Sequence, residues 1–188
     1  RNCIEVSGDI FSVRSGWYIL DADLSGTTGW FLTALATLIP GVKTLYGKEG
    51  LNKRPIGHLI DALRQLGAQI DYIGSDGYPP VRVSSSTLRP GTIKMSGEVS
   101  SQFLSALLMI APLVGQVTVE VSGDQISRPY IDMTIEAMKE FGVAVLRDSY
   151  GRYLVPAGQQ YAANTYTVEA DASSAAYFAA IAALTRST

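Results

Sequence analysis

The sequence predicts an α/β protein built from repeated units, in which buried helices are surrounded by sheets and outer helices. Two Arg-Pro pairs, Arg54-Pro55 and Arg128-Pro129, lie about 74 residues apart, and similar segments follow them at Leu66–Ile70 and Phe141–Val145, as is typical of repeat architectures. Each unit has one helix that is apolar on all sides and one with a polar face. This pairing favours buried inner helices over a doubly wound sheet.

The first unit opens with an inner helix. Its start is marked by the small and hydroxyl residues Ser25–Gly29, and its body is apolar as far as Pro40. The outer helix has Pro55 in its first turn, where the missing N–H costs nothing, and Gly67 at its end. The other predicted elements are a strand over Asn2–Val6 ahead of the unit, a strand over Val42–Tyr46, a loop over Gly47–Lys53, the outer helix over Ile56–Leu66 and a strand over Ala68–Ile73.

The second unit is organised around a helix that opens at Ser100-Ser101-Gln102. Serine is a favoured N-cap, and Phe103–Ala111 are almost without polarity, so this helix is predicted to be buried. A third inner helix, parallel to the other two, is predicted from Asp171-Ala172-Ser173-Ser174. The remaining elements of the second unit are a strand over Val117–Val121, an amphipathic helix from Ser127 through Met138 closed by Gly142, and a strand over Val143–Leu146.

Composition excludes several functional classes. The 188 residues are 47% hydrophobic and 17% charged with a net charge of −2, which describes a globular protein with no basic field for nucleic acid. No apolar run is long enough for a membrane span, since Pro112 interrupts the best candidate, and no signal peptide is recognisable, so a cytoplasmic location is expected. The single cysteine, Cys3, and single histidine, His58, leave no zinc site or Ser-His-Asp triad, and we expect no metal or cofactor.

The chemistry that these residues favour is anion binding. Helix openings rich in hydroxyl residues would form an anion site if the units bring their N-termini together. Arg54 and Arg128 each precede a proline at a helix start, where a guanidinium can pair with a carboxylate or phosphate in bidentate fashion. From the residues alone, capped core helices with surface arginines remain an equally available interpretation.

Several segments in combination resemble the 5-enolpyruvylshikimate-3-phosphate (EPSP) synthase family. The similarity is ordered from about Lys43 to Ala183. A sister enzyme that transfers enolpyruvyl to UDP-N-acetylglucosamine shares the Arg-Pro-Ile element but is not expected to carry Ser-Ser-Gln. The matching segments are Lys53–Arg64 with Arg-Pro-Ile-Gly, Tyr78–Pro80, Gly97–Met109 with Ser-Ser-Gln, Ser127–Thr134 with Ser-Arg-Pro-Tyr, and Val168–Phe178 with Asp-Ala-Ser-Ser-Ala.

The resemblance implies an inside-out α/β barrel whose two domains each contain three βαβαββ units with the helices inside. It places residues 1–168 in the N-terminal, shikimate 3-phosphate-binding domain and residues 169–188 at the start of the C-terminal domain. The implied reaction transfers the enolpyruvyl group of phosphoenolpyruvate to the 5-hydroxyl of shikimate 3-phosphate, a step of aromatic amino acid biosynthesis.

The resemblance also implies roles for individual residues. The family's motifs place shikimate 3-phosphate on Ser100, Ser101, Gln102, Ser127 and Tyr130, and phosphoenolpyruvate on Gly26, Arg54 and Gln102. No catalytic residue is expected in this chain, because the family's catalytic carboxylates belong to the C-terminal domain.

Two departures from the family pattern limit the expected activity. The family's Asn-Ala-Gly-Thr-Ala-x-Arg reads Leu-Ser-Gly-Thr-Thr-Gly-Trp at Leu24–Trp30, with Trp30 where arginine is expected. The family's Gly-Ser-Lys-Ser segment and most of its C-terminal domain have no counterpart here, so the chain alone is expected to be inactive without that domain as a partner. The alternatives are a non-catalytic ligand-binding or structural remnant, or a relative that acts on UDP-N-acetylglucosamine.

Overall fold

The computed structural model describes residues 3–185, and in them two βαβαββ units follow each other along the chain. The first unit consists of β1 (Trp17–Asp21), α1 (Gly26–Ala36), β2 (Val42–Tyr46), the one-turn helix α2 (Glu49–Asn52), α3 (Gly57–Gln65), β3 (Gln69–Tyr72) and β4 (Val81–Ser84). The second consists of β5 (Gly91–Ser96), α4 (Ser101–Val114), β6 (Val117–Ser122), α5 (Arg128–Glu140), β7 (Leu146–Asp148) and β8 (Arg152–Val155), and α6 (Ala172–Thr185) follows.

The two units have the same topology. Their four-stranded sheets have the orders β1-β2-β4-β3 and β5-β6-β8-β7. In each sheet the first two strands are parallel and the other pairs are antiparallel. A parallel pair needs a crossover connection, and here the inner helix of each unit, α1 or α4, provides it. The internal repeat predicted from the sequence is therefore a repeat of structure.

The inner helices α1 and α4 pack against each other in the centre of the molecule. Most of α4 is buried, as its almost unbroken apolar sequence predicts. At the contact, Trp30 of α1 meets Phe103 of α4 edge-on, with ring centroids 5.8 Å apart and an interplanar angle of 76°. This arrangement is a favourable one for an aromatic pair. Trp30, which stands where the family pattern has arginine, is thus a core residue.

The expectation of a third buried inner helix is wrong for this chain. Helix α6 forms, but Tyr177, Phe178, Ile181 and Leu184 are between 57 and 86% exposed. The physical reason is that residues 156–171 form no strand, so no third sheet is present among residues 3–185 to cover the helix. The side chains of residues 172–174, which include the predicted opening at Ser173 and Ser174, lie outside those that the structure describes.

Several strand boundaries also differ from the sequence predictions. Residues 3–6 of the predicted first strand form no strand, and β1, β4, β5 and β8 were not predicted. In β1 the side chains of Trp17 and Ile19 point to solvent while Tyr18 and Leu20 are half-buried, so the strand lacks the usual alternation of apolar and polar residues. The predicted strand over Val143–Leu146 begins only at Leu146, because the Val143 N–H closes the end of α5 by donating to the Met138 carbonyl at 2.9 Å.

Helices long and apolar enough to cross a lipid bilayer are absent from the part of the chain that the structure describes.

Candidate functional site

The N-terminus of α1 brings Gly26 and Arg54 together. The hydroxyl of Ser25 caps the helix by accepting a hydrogen bond from the Thr28 N–H at 3.1 Å. The Arg54 guanidinium approaches Gly26 so closely that a Cβ added to the glycine would lie 2.9 Å from Arg54 Nη1 and 3.2 Å from Trp30 Nε1. The absence of a side chain at Gly26 is therefore what allows the cation to reach the positive end of this helix.

The backbone around Arg54 is held by both neighbouring segments. Its N–H donates to the Leu51 carbonyl at 2.9 Å, and the Gly77 carbonyl accepts from the N–H groups of Ile56 and Gly57 at 2.8 and 3.2 Å. The Arg54 side chain is exposed and makes no ion pair or side-chain hydrogen bond with residues 3–185. A guanidinium without a partner beside a helix N-terminus can receive a carboxylate or a phosphate.

The N-terminus of α4 lies next to that of α1. Ser100 is its N-cap, and its hydroxyl accepts a hydrogen bond from the Gln102 N–H at 3.3 Å. The Gln102 side chain reaches across and donates from Nε2 to Thr27 Oγ1 at 3.0 Å. Two helix N-termini therefore meet at one place, with the buried Ser101 beside them, and their dipoles add at a point suited to negative charge.

Ser127 and Tyr130 begin the outer helix α5. Ser127 is its N-cap in a left-handed conformation, with φ of 57° and ψ of 39°, and its hydroxyl makes no capping bond. It differs in this from Ser25 and Ser100, whose hydroxyls cap their helices. The Ser127 Oγ is consequently available to a ligand. Tyr130 is exposed, and its carbonyl accepts a hydrogen bond from Thr134 Oγ1 at 2.8 Å.

A groove of about 660 Å³ runs between α1, α4 and α5. Its polar end is formed by Thr27, Ser101, Gln102 and Tyr130. Among the residues that the structure describes, no carboxylate, histidine or lysine lines the groove. The remaining wall is mostly apolar, with Phe31, Met109, Met133, Ala137, Met138 and Phe141. A polar end on an apolar groove is the usual form of a small-molecule site.

The predicted site residues fall at two neighbouring places. Ser101, Gln102 and Tyr130 line the groove, whereas Gly26 and Arg54 lie at the adjoining start of α1. Ser100 and Ser127 are not among the residues that line the groove, although each stands next to a segment that does.

Sequence reasoning included Thr27 in a helix opening but did not predict the contacts that join these elements. Thr27 receives the Gln102 amide, and a 2.7 Å hydrogen bond between Ser105 and Thr134 ties α4 to α5. Tyr161 borders the groove and donates to the Met109 carbonyl at 2.9 Å, and burial raises its pKa to about 12. For the contact between α4 and α5, the available signal was Ser105 within the apolar run of α4, because a buried hydroxyl needs a hydrogen-bond partner.

Clusters of three or more histidine, cysteine, aspartate or glutamate side chains that could hold a metal ion do not occur among the described residues.

The fold and this site define an α/β protein that gathers helix N-termini, hydroxyls and an unpaired arginine around an anion-compatible groove. The family model described as EPSP synthase (3-phosphoshikimate 1-carboxyvinyltransferase) matches residues 1–188. The chain belongs to the EPSP synthase family.

Relatives and solved structures agree with this assignment. The chain is 46% identical to the 3-phosphoshikimate 1-carboxyvinyltransferase of Vibrio vulnificus (strain YJ016) and 48% identical to that of Shewanella sp. (strain ANA-3), each over 162 residues. These alignments cover 85% of this chain and 38% of each relative, so the chain spans well under half the length of the proteins it matches.

The solved EPSP synthase from Acinetobacter baumannii superimposes with a TM-score of 0.72 at 26% identity, covering 86% of this chain and 36% of that one. The predicted inside-out α/β fold is confirmed by this similarity.

Proposed function

We propose that this chain supplies a shikimate 3-phosphate half-site to an enzyme that transfers the enolpyruvyl group of phosphoenolpyruvate. In the proposed reaction the 5-hydroxyl oxygen of shikimate 3-phosphate forms a bond to C2 of phosphoenolpyruvate, and the C2–O bond to phosphate breaks. The observation that carries the proposal is the Gln102–Thr27 hydrogen bond, which joins the N-termini of α1 and α4 beside Ser101 and Tyr130.

Each anion has suitable donors in this arrangement. The hydroxyls of Ser100, Ser101, Ser127 and Tyr130, with the Gln102 amide, would bind shikimate 3-phosphate at the helix N-termini. Phosphoenolpyruvate would meet the Arg54 guanidinium over the bare backbone of Gly26, within reach of the α1 dipole. The names of the curated relatives support shikimate 3-phosphate as the acceptor in preference to UDP-N-acetylglucosamine.

Turnover would require groups from outside this chain. The reaction needs a base for the 5-hydroxyl proton and an acid for the methylene carbon, both within hydrogen-bond reach. It also needs cations that stabilise the charge developing on phosphoenolpyruvate. Since none of the described residues that line the groove is a carboxylate, histidine or lysine, we propose that a C-terminal domain provides these groups. In this proposal residues 1–168 belong to the N-terminal domain, residues 169–188 begin the next one, and the enzyme acts in the cytoplasm.

The half-site is tested by calorimetry with shikimate 3-phosphate on the 188-residue chain. We expect weak binding, because part of the ligand stays in water, and about a fivefold or greater loss for Ser101→Ala and for Gln102→Ala, since each removes a donor to an anion. Ser75→Ala, an exposed serine in a loop of the first unit, is the control and should bind as the unchanged chain does. Equal heats for all four proteins would overturn the half-site.

A non-catalytic ligand-binding protein is the second candidate, and Trp30 is the observation that favours it. Its indole is buried against Phe103 where the family pattern has an arginine. A phosphate-release assay with both substrates discriminates between the candidates, run on the chain alone and with the C-terminal domain of a relative added. We expect no release from the chain alone and release from the mixture. Release of phosphate by the chain alone would contradict the proposed need for a C-terminal domain. A mixture that releases no phosphate but still binds shikimate 3-phosphate would favour the non-catalytic candidate.

A further inference from the structure

A second face of α5, distinct from the one that lines the groove, packs against Tyr150. Arg128 and Asp132 lie one turn apart on this helix, and both contact Tyr150 in the turn between β7 and β8. The Tyr150 hydroxyl donates to Asp132 Oδ2 at 2.9 Å. The Arg128 guanidinium lies 4.7 Å from the centroid of the Tyr150 ring, within the range of a cation–π interaction.

Arg147 completes this contact from β7. Its guanidinium is 4.5 Å from the same ring centroid and forms an ion pair with Asp132 Oδ1. The hydrogen bond from Arg147 holds the pKa of the Asp132 carboxyl below its ordinary value. That carboxylate therefore stays charged and continues to accept from Tyr150. Since Arg147 is neutralised by Asp132, the charge left without a carboxylate in this group is that of Arg128, directly beside Ser127.

The segment that precedes α5 is held at both sides of Ser127. Arg128 Nε donates to the Gln125 carbonyl at 3.3 Å, and the Gln125 side chain accepts a hydrogen bond from the buried hydroxyl of Tyr153. A left-handed backbone at a residue other than glycine persists only where its surroundings enforce it. Here those surroundings are Gln125 and the Ile126 N–H, which donates to the Gly97 carbonyl at 3.2 Å, before Ser127, and the Arg128–Tyr150 contact after it.

We propose that Tyr150 is a positioning residue for the shikimate 3-phosphate half-site, and that it orients Ser127 and Tyr130 through its contacts with Arg128 and Asp132. Tyr150 itself is absent from the lining of the groove, so it acts through the first two turns of α5. The Tyr150 ring holds the Arg128 guanidinium, and the Tyr150 hydroxyl holds the Asp132 carboxylate one turn further along α5. The identity of the ligand in this proposal rests on the proposed function. The effect of Tyr150 on the backbone conformation of Ser127 does not depend on it.

The positioning effect is tested without ligand by nuclear magnetic resonance on the 188-residue chain. The backbone coupling constant and carbon shifts of Ser127 report its left-handed conformation. We expect Tyr150→Leu to lose this signature and Tyr150→Phe, which keeps the ring, to retain most of it. Arg128→Met, at an exposed position, removes the ring contact together with the hydrogen bond to the Gln125 carbonyl and should also lose the signature. Tyr72→Leu, which removes a similar tyrosine–arginine contact to Arg64 in the first unit, should retain it. A left-handed Ser127 in both Tyr150→Leu and Arg128→Met would overturn the proposal.

Binding then separates positioning from general destabilisation. In calorimetry with shikimate 3-phosphate, Tyr150→Leu should weaken binding by about fivefold or more, with a smaller loss for Tyr150→Phe. In a Ser127→Ala background, Tyr150→Leu should change the logarithm of the dissociation constant by less than about half as much as in the unchanged chain. The reason is that the Ser127 hydroxyl, which Tyr150 is proposed to position, has already been removed. Equal losses in both backgrounds would contradict the proposal. An unchanged chain that binds no shikimate 3-phosphate would overturn the proposed function, while the Ser127 measurement would still decide the role of Tyr150.

Discussion

Replacing Phe103 by alanine is expected to lower the free energy of unfolding by about 4 kcal/mol, the usual cost of emptying an aromatic site in a core. Phe103 is 4% exposed and forms the edge-on contact with Trp30 that joins α1 to α4. The loss has two parts, the transfer free energy of the ring and the cavity that the surrounding side chains cannot fill. Urea unfolding followed by circular dichroism measures the change at constant m-value.

Phe11→Ala is the matched control for this prediction. Phe11 is 69% exposed, so its removal should change the unfolding free energy by no more than about 0.5 kcal/mol. Because Phe103 directly follows Gln102, the core substitution should also weaken shikimate 3-phosphate binding below the unfolding midpoint. Similar stabilities for the two alanine variants would contradict the assignment of Phe103 to the central helix contact.

Gly41→Ala is expected to cost about 3 kcal/mol of unfolding free energy, since it combines an unfavourable left-handed backbone with an overpacked contact. Gly41 has φ of 86°, and a Cβ there would lie 2.2 Å from the backbone oxygen of Gly16 and 2.4 Å from its nitrogen. This close approach lets the Val42 N–H donate to the Gly16 carbonyl at 2.8 Å, where the parallel pairing of β1 and β2 begins. The Gly41 carbonyl also accepts from the buried Lys43 ammonium at 3.1 Å.

Gly158→Ala isolates the conformational part of that cost. Gly158 has a similar φ of 78°, but no atom of the described residues lies within 4 Å of the position its Cβ would take. Its replacement should therefore cost only about 1 kcal/mol. The comparison is made by urea unfolding of both variants. Equal costs would show that the backbone of Gly16 moves aside, and the contact between the starts of β1 and β2 would then contribute little to stability.

The burial of each helix in the two units could be predicted from the sequence, because it depends on how apolar residues are spaced along that helix. The apolar run Phe103–Ala111 required burial, and α4 is buried. In α3 and α5 the apolar residues recur at helical spacing, which predicts one buried face, and both helices have one. Strands were harder, since β1 exposes Trp17 and Ile19 and so lacks the pattern by which a half-buried strand is recognised.

The same local reasoning identified the separate parts of the candidate site but not their contacts. Serine at the start of α1 and at the start of α4 predicts an N-cap, and Ser25 and Ser100 are N-caps. Ser127 has the same residue type at a helix start, yet its hydroxyl does not cap α5. The difference depends on its left-handed backbone, which the side chains of other elements support and which residue type alone does not specify.

The repeat, the division of α1, α3, α4 and α5 into inner and outer helices, and the residue types at each helix start follow from the amino-acid sequence. These properties depend on spacing along the chain, which packing does not alter. Which helix starts meet depends on the packing of the whole fold. Gln102 and Thr27 are 75 residues apart, and they touch because the sheets set α1 and α4 side by side. The structure likewise decided that α6 remains exposed, because burial of an apolar helix requires a covering surface that its own sequence cannot supply.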